Sequence, residues 1–324
     1  MQGFDSKFKD FPDYILGITH EIWEQRGVDT LNHYYAPEII VRSPTSVVVG
    51  NQTVIDATNA TLEEFPDRQL LGEDVIWCGT PEDGLLSSHR ILSTATHSND
   101  GVYGKATGTK LSYRVIADCH AKNNTIDDEW LIRDQAAIVR QLGIDPKDYA
   151  RTQIETEGAN SILPFPANDI SGPYQGKGND NRWGQQLADI LRRITSGDHQ
   201  VFSSDYDRAV HLEYPGFRTQ HGAEAAHAFW TSVTGSLSPL RFEVHHQIGR
   251  EDPTLPARAA VRWSITGTHS EAGVFGKPTG AEIYIMGITH AEFGSLGASP
   301  VTLRREYTLF DETAIWKQIL LHTG

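Results

Sequence analysis

An internal repeat restricts how this chain can fold more than any other feature. Arg90 to Gly108, RILSTATHSNDGVYGKATG, aligns without a gap on Arg262 to Gly280, RWSITGTHSEAGVFGKPTG, at an offset of 172, with eleven of the 19 positions identical. Thr96-His97-Ser98 falls on Thr268-His269-Ser270, and Gly104-Lys105 on Gly276-Lys277. Farther on, Glu129 to Asp134 matches Glu306 to Asp311 at an offset of 177, with the five additional residues expected in the turn around Gly294 to Ser299. Upstream, Tyr35, Pro44 and Gly50 match Tyr206, Pro215 and Gly222. Solenoid units repeat every ~20 to 50 residues, so a period near 170 means two duplicated domains. The 324 residues suit that number at ~100 to 200 residues per domain.

The expected boundaries are residues 1–144 for the first domain, 145–182 for a linker and 183–324 for the second domain. The linker carries Pro146, Pro164, Pro166 and Pro173 with four glycines and no sustained periodicity, and is expected to lie along the surface of one domain. Each domain opens on a helical pattern, with Tyr14, Ile15, Ile18, Ile22 and Trp23 in the first and Trp183, Leu187, Ile190, Leu191 and Ile194 in the second. Gly27 and Gly197 are the expected helix stops. A strand, a second helix after Gly50 or Gly222, and four extended stretches rich in Val, Ile, Thr and aromatics follow. Helices first and an antiparallel meander after them make the class α+β, with an apolar pocket expected between sheet and helices.

Composition narrows the partners. Twenty-eight basic against 42 acidic side chains give a net charge of −14, a field that repels phosphate backbones and anionic membranes. The acidity is uneven: residues 1–144 hold 12 basic and 21 acidic groups against 12 and 15 in residues 183–324, which favours a neutral substrate for the first pocket. Cys78 and Cys119, the two cysteines, lie in apolar runs and cannot form a disulfide framework, which suits a reducing compartment. No run reaches the ~18 apolar residues of a membrane span and no signal-peptide core is visible, so the expected location is cytoplasmic.

The run T-H-S-x-x-G-V-x-G-K-x-T-G, followed by E-W-x-x-x-D and closed by Gln141-Leu142-Gly143, resembles the SnoaL-like polyketide cyclases. These belong to the cone-shaped superfamily that includes nuclear transport factor 2 and ketosteroid isomerase. The resemblance covers about 130 residues of each half. It implies two tandem cone-shaped domains, an intramolecular aldol ring closure run without metal or cofactor, and a small hydrophobic carbonyl compound as substrate. Family members pair through their sheets, so a tandem copy suggests an internal pseudo-dimer that leaves room for a homo-oligomer.

General acid/base chemistry needs a group poised near neutral pH in a dry pocket. Asp134 and Asp311 are the first candidates, because strand alternation puts Asp134 with Trp130 and Ile132, and Asp311 with Tyr307 and Leu309, on the face expected to line the pocket. The plain alternative is that each caps the helix that follows. The resemblance implies that the catalytic aspartate falls here and that a pocket histidine falls near His120; the second copy has His290 in place of Asp118 and Glu292 in place of His120. Trp23, Tyr35, Arg90, Trp130, Arg262 and Tyr307 are the expected substrate contacts. An exposed sheet face is an equal alternative for the two arginines.

His97 and His269, present in both copies beside a turn, suit a structural hydrogen bond better than catalysis. Gly104-Lys105 and Gly276-Lys277 lack the rest of a phosphate loop. His245-His246 and the His221–His227 spacing lack a third metal ligand, so no metal is expected. Isomerases, dehydratases and epoxide hydrolases share this fold, and a non-catalytic small-molecule-binding tandem module, or one active and one decayed copy, stands beside the enzyme reading.

Overall fold

The structure, a computed structural model, describes residues 1–158, 164–295 and 300–324. The chain divides into two compact units, Met1–Asp145 with Leu163–Gly176, and Pro146–Ile162 with Lys177–Gly324. The expected insertion site around Gly294 to Ser299 falls largely on residues 296–299, outside the described residues.

Unit 1 runs α1 (Phe11–Trp23), α2 (Leu31–Tyr34), β1 (Tyr35–Ser43), β2 (Ser46–Val49), α3 (Asn51–Glu64), β3 (Gln69–Thr80), β4 (Gly84–Thr96), β5 (Lys110–Lys122), β6 (Thr125–Arg133) and α4 (Gln135–Gln141). A further helix, α5 (Pro146–Glu157), belongs to unit 2. Unit 2 continues with α6 (Arg182–Thr195), α7 (Val201–Ser204), β7 (Tyr206–Tyr214), β8 (Arg218–His221), α8 (Ala223–Thr234), β9 (Leu237–Arg250), β10 (Ala257–His269), β11 (Glu282–Gly294), β12 (Thr302–Phe310) and α9 (Glu312–Thr323).

Each unit holds a six-stranded sheet of the same order, β2-β1-β6-β5-β4-β3 and β8-β7-β12-β11-β10-β9. The expected meander forms its larger part. One strand pairing in each sheet is parallel, β1 with β6 and β7 with β12, because the first strand returns beside the last. Both units are curved sheets packed with helices, α+β in class, in tandem.

The first helix of each unit forms where capping and periodicity coincide. Asp10 accepts from the Asp13 amide at 2.9 Å and Asn181 from the Trp183 amide at 3.0 Å, each satisfying one of the N-terminal amides that a helix leaves unpaired. The apolar faces of α1 and α6 then bury the side chains that the spacing singled out, Tyr14, Ile15, Ile18 and Ile22, and Trp183, Leu187, Ile190, Leu191 and Ile194. Trp23 is only partly buried. Gly197 closes α6 in the left-handed region at φ 85°. At the end of α1 that geometry belongs to Arg26, at φ 60°, and not to Gly27, which has φ −81°. The Arg26 guanidinium holds the carbonyls of Trp23, Pro66 and Arg68, which ties the helix end to the segment leading into β3.

The helices cover one face of each sheet, and that face carries the core. In unit 1, Val75, Leu85, Ala117, Cys119 and Ala121 pack with Phe4, Phe8, Phe11, Tyr14, Ile15 and Ile18, with Trp77 and Leu131 at the margin. In unit 2, Ala259, Val261, Trp263, Ile265, Ala291 and Phe310 pack with Leu187, Leu191, Phe229 and Trp230.

Candidate functional site

Cross-strand register fixes which residues share the helix-facing side. Trp77, Ser87, Cys119 and Glu129 lie on one rung of unit 1, and Val75, His89, Ala117 and Leu131 on the next. Glu129 therefore points to the helix side and Trp130 to the opposite one. The strand alternation read from the sequence holds, but the expected pocket face was the wrong one of the two. Trp130 lies under the Arg42 guanidinium at 4.6 Å and beside the Tyr174 ring at 6.3 Å, and Tyr307 lies 6.1 Å from the His211 ring. Neither belongs to the helix-facing core.

Asp134 and His120 are not brought together. The Asp134 amide bonds the Arg114 carbonyl, and His120 lies six residues farther along β5, roughly 20 Å away at ~3.3 Å per residue. The Asp134 side chain accepts from the Ala137 amide at 3.0 Å as the cap of α4, while His120 Nδ1 sits 2.6 Å from Asp127 Oδ1. Asp311 likewise caps α9, accepting from the Thr313 amide and hydroxyl, both at 2.8 Å. Burial raises the Asp311 carboxyl above its ordinary value, against the pull of Lys317 and these donors. His290 is buried on β11, paired in register with Tyr307 and away from Asp311. Removing the Asp134 cap with alanine is expected to cost ~1–2 kcal/mol in urea unfolding, whereas asparagine, which keeps an acceptor, costs little.

Arg90 bonds Glu73 at 2.9 Å, and Arg114 reaches the same carboxylate. Burial raises the Glu73 carboxyl, but the two guanidiniums outweigh it and hold it below its ordinary value. Arg262 pairs in register with His246 on the side away from the helices. His245 and His246 also line a cavity of about 350 Å³ at the β9 edge of the sheet, with Lys177 and, from α6, Arg192. Burial and the Arg262 charge keep both of these histidines below their ordinary pKa. Of the six expected substrate contacts, Trp23 and Tyr35 pack against the helix-facing core.

The repeated histidines fix the turns, as their position suggested. His97 Nδ1 meets Thr107 Oγ1 at 3.2 Å and His269 Nδ1 meets Thr279 Oγ1 at 3.0 Å. In unit 1, Glu64 completes the arrangement, bonding His97 Nε2 and the amides of Val102 and Tyr103. Ser236 stands at the equivalent place in unit 2, and His269 Nε2 has no hydrogen-bond partner among the described residues.

The groups that sequence reasoning passed over are those on the helix-facing side. Glu129 is 7% exposed, and burial pushes its carboxyl up to about 7, with a hydrogen bond from Tyr35 pulling the other way. His89, held neutral by burial with a pKa of about 4, lies one rung away with its Nδ1 3.2 Å from Ser87 Oγ. Unit 2 has the same carboxylate in a different setting. Glu306, fully buried, accepts from Tyr206 at 2.8 Å, Tyr214 at 3.3 Å, the Trp230 indole at 3.0 Å and Thr308 at 2.6 Å. At the offsets of the repeat, Tyr214, Trp230 and Thr308 correspond to Ser43, Thr58 and Leu131. Unit 1 keeps the acid and the tyrosine, with shorter hydroxyl side chains in place of the second tyrosine and the indole and leucine in place of Thr308.

A second polar group lies farther along the same side. Arg68, 1% exposed, bonds Ser93 Oγ through Nε at 3.1 Å and lies 4.3 Å over Trp23 and 5.7 Å from Tyr113. Arg133 is close enough to depress the Arg68 pKa further, and its side chain hydrogen-bonds Tyr103.

Two small α+β units of one topology, each with a carboxylate buried between sheet and helices, define a duplicated domain of the cone-shaped class. The SnoaL-like polyketide cyclase family matches residues 13–142 and the SnoaL-like domain family residues 187–296; the chain is a tandem pair of SnoaL-like domains. Similar solved structures include IdmH of Streptomyces antibioticus, a proposed polyketide cyclase, at 20% identity over 41% of this chain and 98% of that one, TM-score 0.36. AclR of Streptomyces galilaeus, a proposed hydroxylase, is 18% identical over 40% and 94%, TM-score 0.35. A SnoaL-like polyketide cyclase of Agrobacterium tumefaciens is 17% identical over 41% and 97%, TM-score 0.34. No curated protein matches the chain. No helix among the described residues is long and apolar enough to cross a membrane.

Proposed function

We propose that unit 1 is a cofactor-independent general acid/base enzyme of the polyketide (ester) cyclase type, acting on a small hydrophobic carbonyl compound, with Glu129 as the proton-transfer group. One observation carries the reading: a buried carboxyl poised at about 7, on the helix-facing side, where its twin in unit 2 accepts four hydrogen bonds. A base of that pKa is half ionised at neutral pH and can both take and return a proton. The Glu129 carboxylate removes a proton from a carbon between two carbonyls, the resulting enolate carbon attacks a second carbonyl carbon, and the new alkoxide oxygen recovers the proton from Glu129. Tyr35 steadies the ionised form. Unit 2, with its carboxylate fully engaged, serves as scaffold.

A second reading keeps the proton on Asp134, the position that the family resemblance favours; it lies next to Arg133, whose side chain bonds Tyr103. Solvent-deuterium exchange into the acidic C–H of an aryl β-keto ester, followed by NMR, separates the two. Glu129→Gln is expected to lower the catalysed rate by ~10²-fold or more, and the wild-type rate to rise with pH through about 7 as Glu129 ionises. Full activity in Glu129→Gln with loss in Asp134→Asn would move the chemistry to Asp134. Activity no faster than buffer in the wild type would leave a binding module.

A further inference from the structure

The Arg68 group differs from ordinary core packing in one comparison. At the offsets of the repeat, Arg68, Ser93, Tyr103, Tyr113 and Arg133 correspond to Leu240, Ile265, Phe275, Ile285 and Phe310. The strands bear out the match, since Gln69 pairs with Thr94 and Arg241 with Thr266 in the same register. Every polar member of the group is apolar in unit 2, where these side chains pack in or against the core. The fold therefore needs no polar group at any of the five positions, and unit 1 carries the desolvation of a buried guanidinium for another reason.

Arg68 Nη1 is buried and has no hydrogen-bond partner among the described residues. Its neighbours include the Ser93 hydroxyl, the Trp23 ring and Tyr113, which also hydrogen-bonds the guanidinium, and among the described residues it forms no ion pair with a carboxylate. A bare N–H of a guanidinium lying over an indole presents what a carboxylate oxygen seeks, in an aromatic setting that suits a planar ring. Burial lowers Arg68 to about 10, so it remains cationic at neutral pH.

We propose that Arg68, supported by Ser93, Tyr113 and Trp23, is the binding site in unit 1 for the carboxylate of an aromatic ligand. The assignment rests on the reading of unit 1 as the active unit and names the class of molecule it takes. It revises the neutral substrate suggested by the acidic surface of residues 1–144. Surface charges are screened beyond ~8 Å at physiological salt, while a buried guanidinium acts at contact distance. Arg133 lies four residues beyond Glu129 on β6, roughly 13 Å at ~3.3 Å per residue, so a ligand held at Arg68 by one end and reacting near Glu129 at the other is an extended molecule.

Calorimetric titration of the full chain with 2-naphthoate and with its methyl ester tests this. The expected result is one naphthoate per chain, bound at least tenfold more tightly than the ester. Arg68→Met is expected to remove that preference, with far-ultraviolet circular dichroism and the urea midpoint reporting that the variant is folded. Should Arg68→Met not fold, Arg68→Lys, which keeps the charge but not the planar fork, is expected to weaken naphthoate severalfold. Equal binding of naphthoate to wild type and variant, two sites per chain, or no preference over the ester would overturn the assignment. Naphthoate binding lost in Arg68→Met but intact in Glu129→Gln separates this site from the proton-transfer reading: the first can hold while the exchange assay fails, and the reverse.

Discussion

Glu306→Ala is expected to destabilise unit 2 by ~3–5 kcal/mol in urea unfolding followed by tryptophan fluorescence. Four groups converge on this carboxylate, and none of its surface reaches solvent. Truncation leaves the Trp230 indole N–H and the Tyr206 and Tyr214 hydroxyls facing a void, and each buried donor without an acceptor costs ~1–3 kcal/mol. Some of that is recovered as the hydroxyls turn toward each other or toward Thr308, so the losses do not add in full. The void costs more, because Trp230, Trp263 and Phe229 are held in a dense aromatic core and cannot collapse freely. A loss below ~1 kcal/mol would mean that the network is dispensable and that Glu306 is kept for some purpose other than stability.

Glu129→Gln is expected to act in the opposite direction. In the folded chain burial lifts this carboxyl from 4.5 to about 7, so the native state holds the proton more tightly than the unfolded chain does. Protonation favours the native state below 4.5, and the benefit is lost as pH rises through 7. At ~1.36 kcal/mol per unit the ionised group costs unit 1 on the order of 3 kcal/mol at pH 8. Glutamine removes the titration. The variant is expected to be more stable than the wild type by ~1–3 kcal/mol at pH 8, with the difference shrinking toward pH 4.5; unfolding curves at the two pH values measure it. A variant less stable at pH 8 would show that Glu129, like Glu306, is a structural carboxylate. Stability gained together with activity lost marks a group retained for its chemistry.

The duplication, the helix faces and the strand order were legible because offset and periodicity are properties of the chain alone. Which side of the sheet meets the helices was not. Alternation assigns Trp130 and Ile132 to one side and Glu129 and Leu131 to the other, and the more apolar pair looked like the pocket lining. The reversal follows from the companion strands, where Cys119, Ala117 and Val75 provide the apolar surface and one carboxylate is buried among them. Asp134 and Asp311 were equally readable as caps, and both are caps. The Arg68 group was visible in the repeat itself. The identities between the copies fall on Thr-His-Ser and Gly-Lys, which hold turns. The positions where one copy is polar and the other apolar, Arg68 with Leu240 and Arg133 with Phe310, say more about what only one copy does.

The linker was expected to follow one domain, yet its parts are shared out. Helix α5 packs on α9 in unit 2, whereas Asp169, Ile170 and Tyr174 bond Arg42 and Asp128 in unit 1, before Lys177 rejoins unit 2. No single cut therefore yields two intact halves. A break before Pro146 takes from the first half the strap over Arg42, and a break after Tyr174 takes from the second its extra helix. A truncated chain therefore carries a complete first unit only if it runs through Gly176, and a complete second unit only if it starts no later than Pro146.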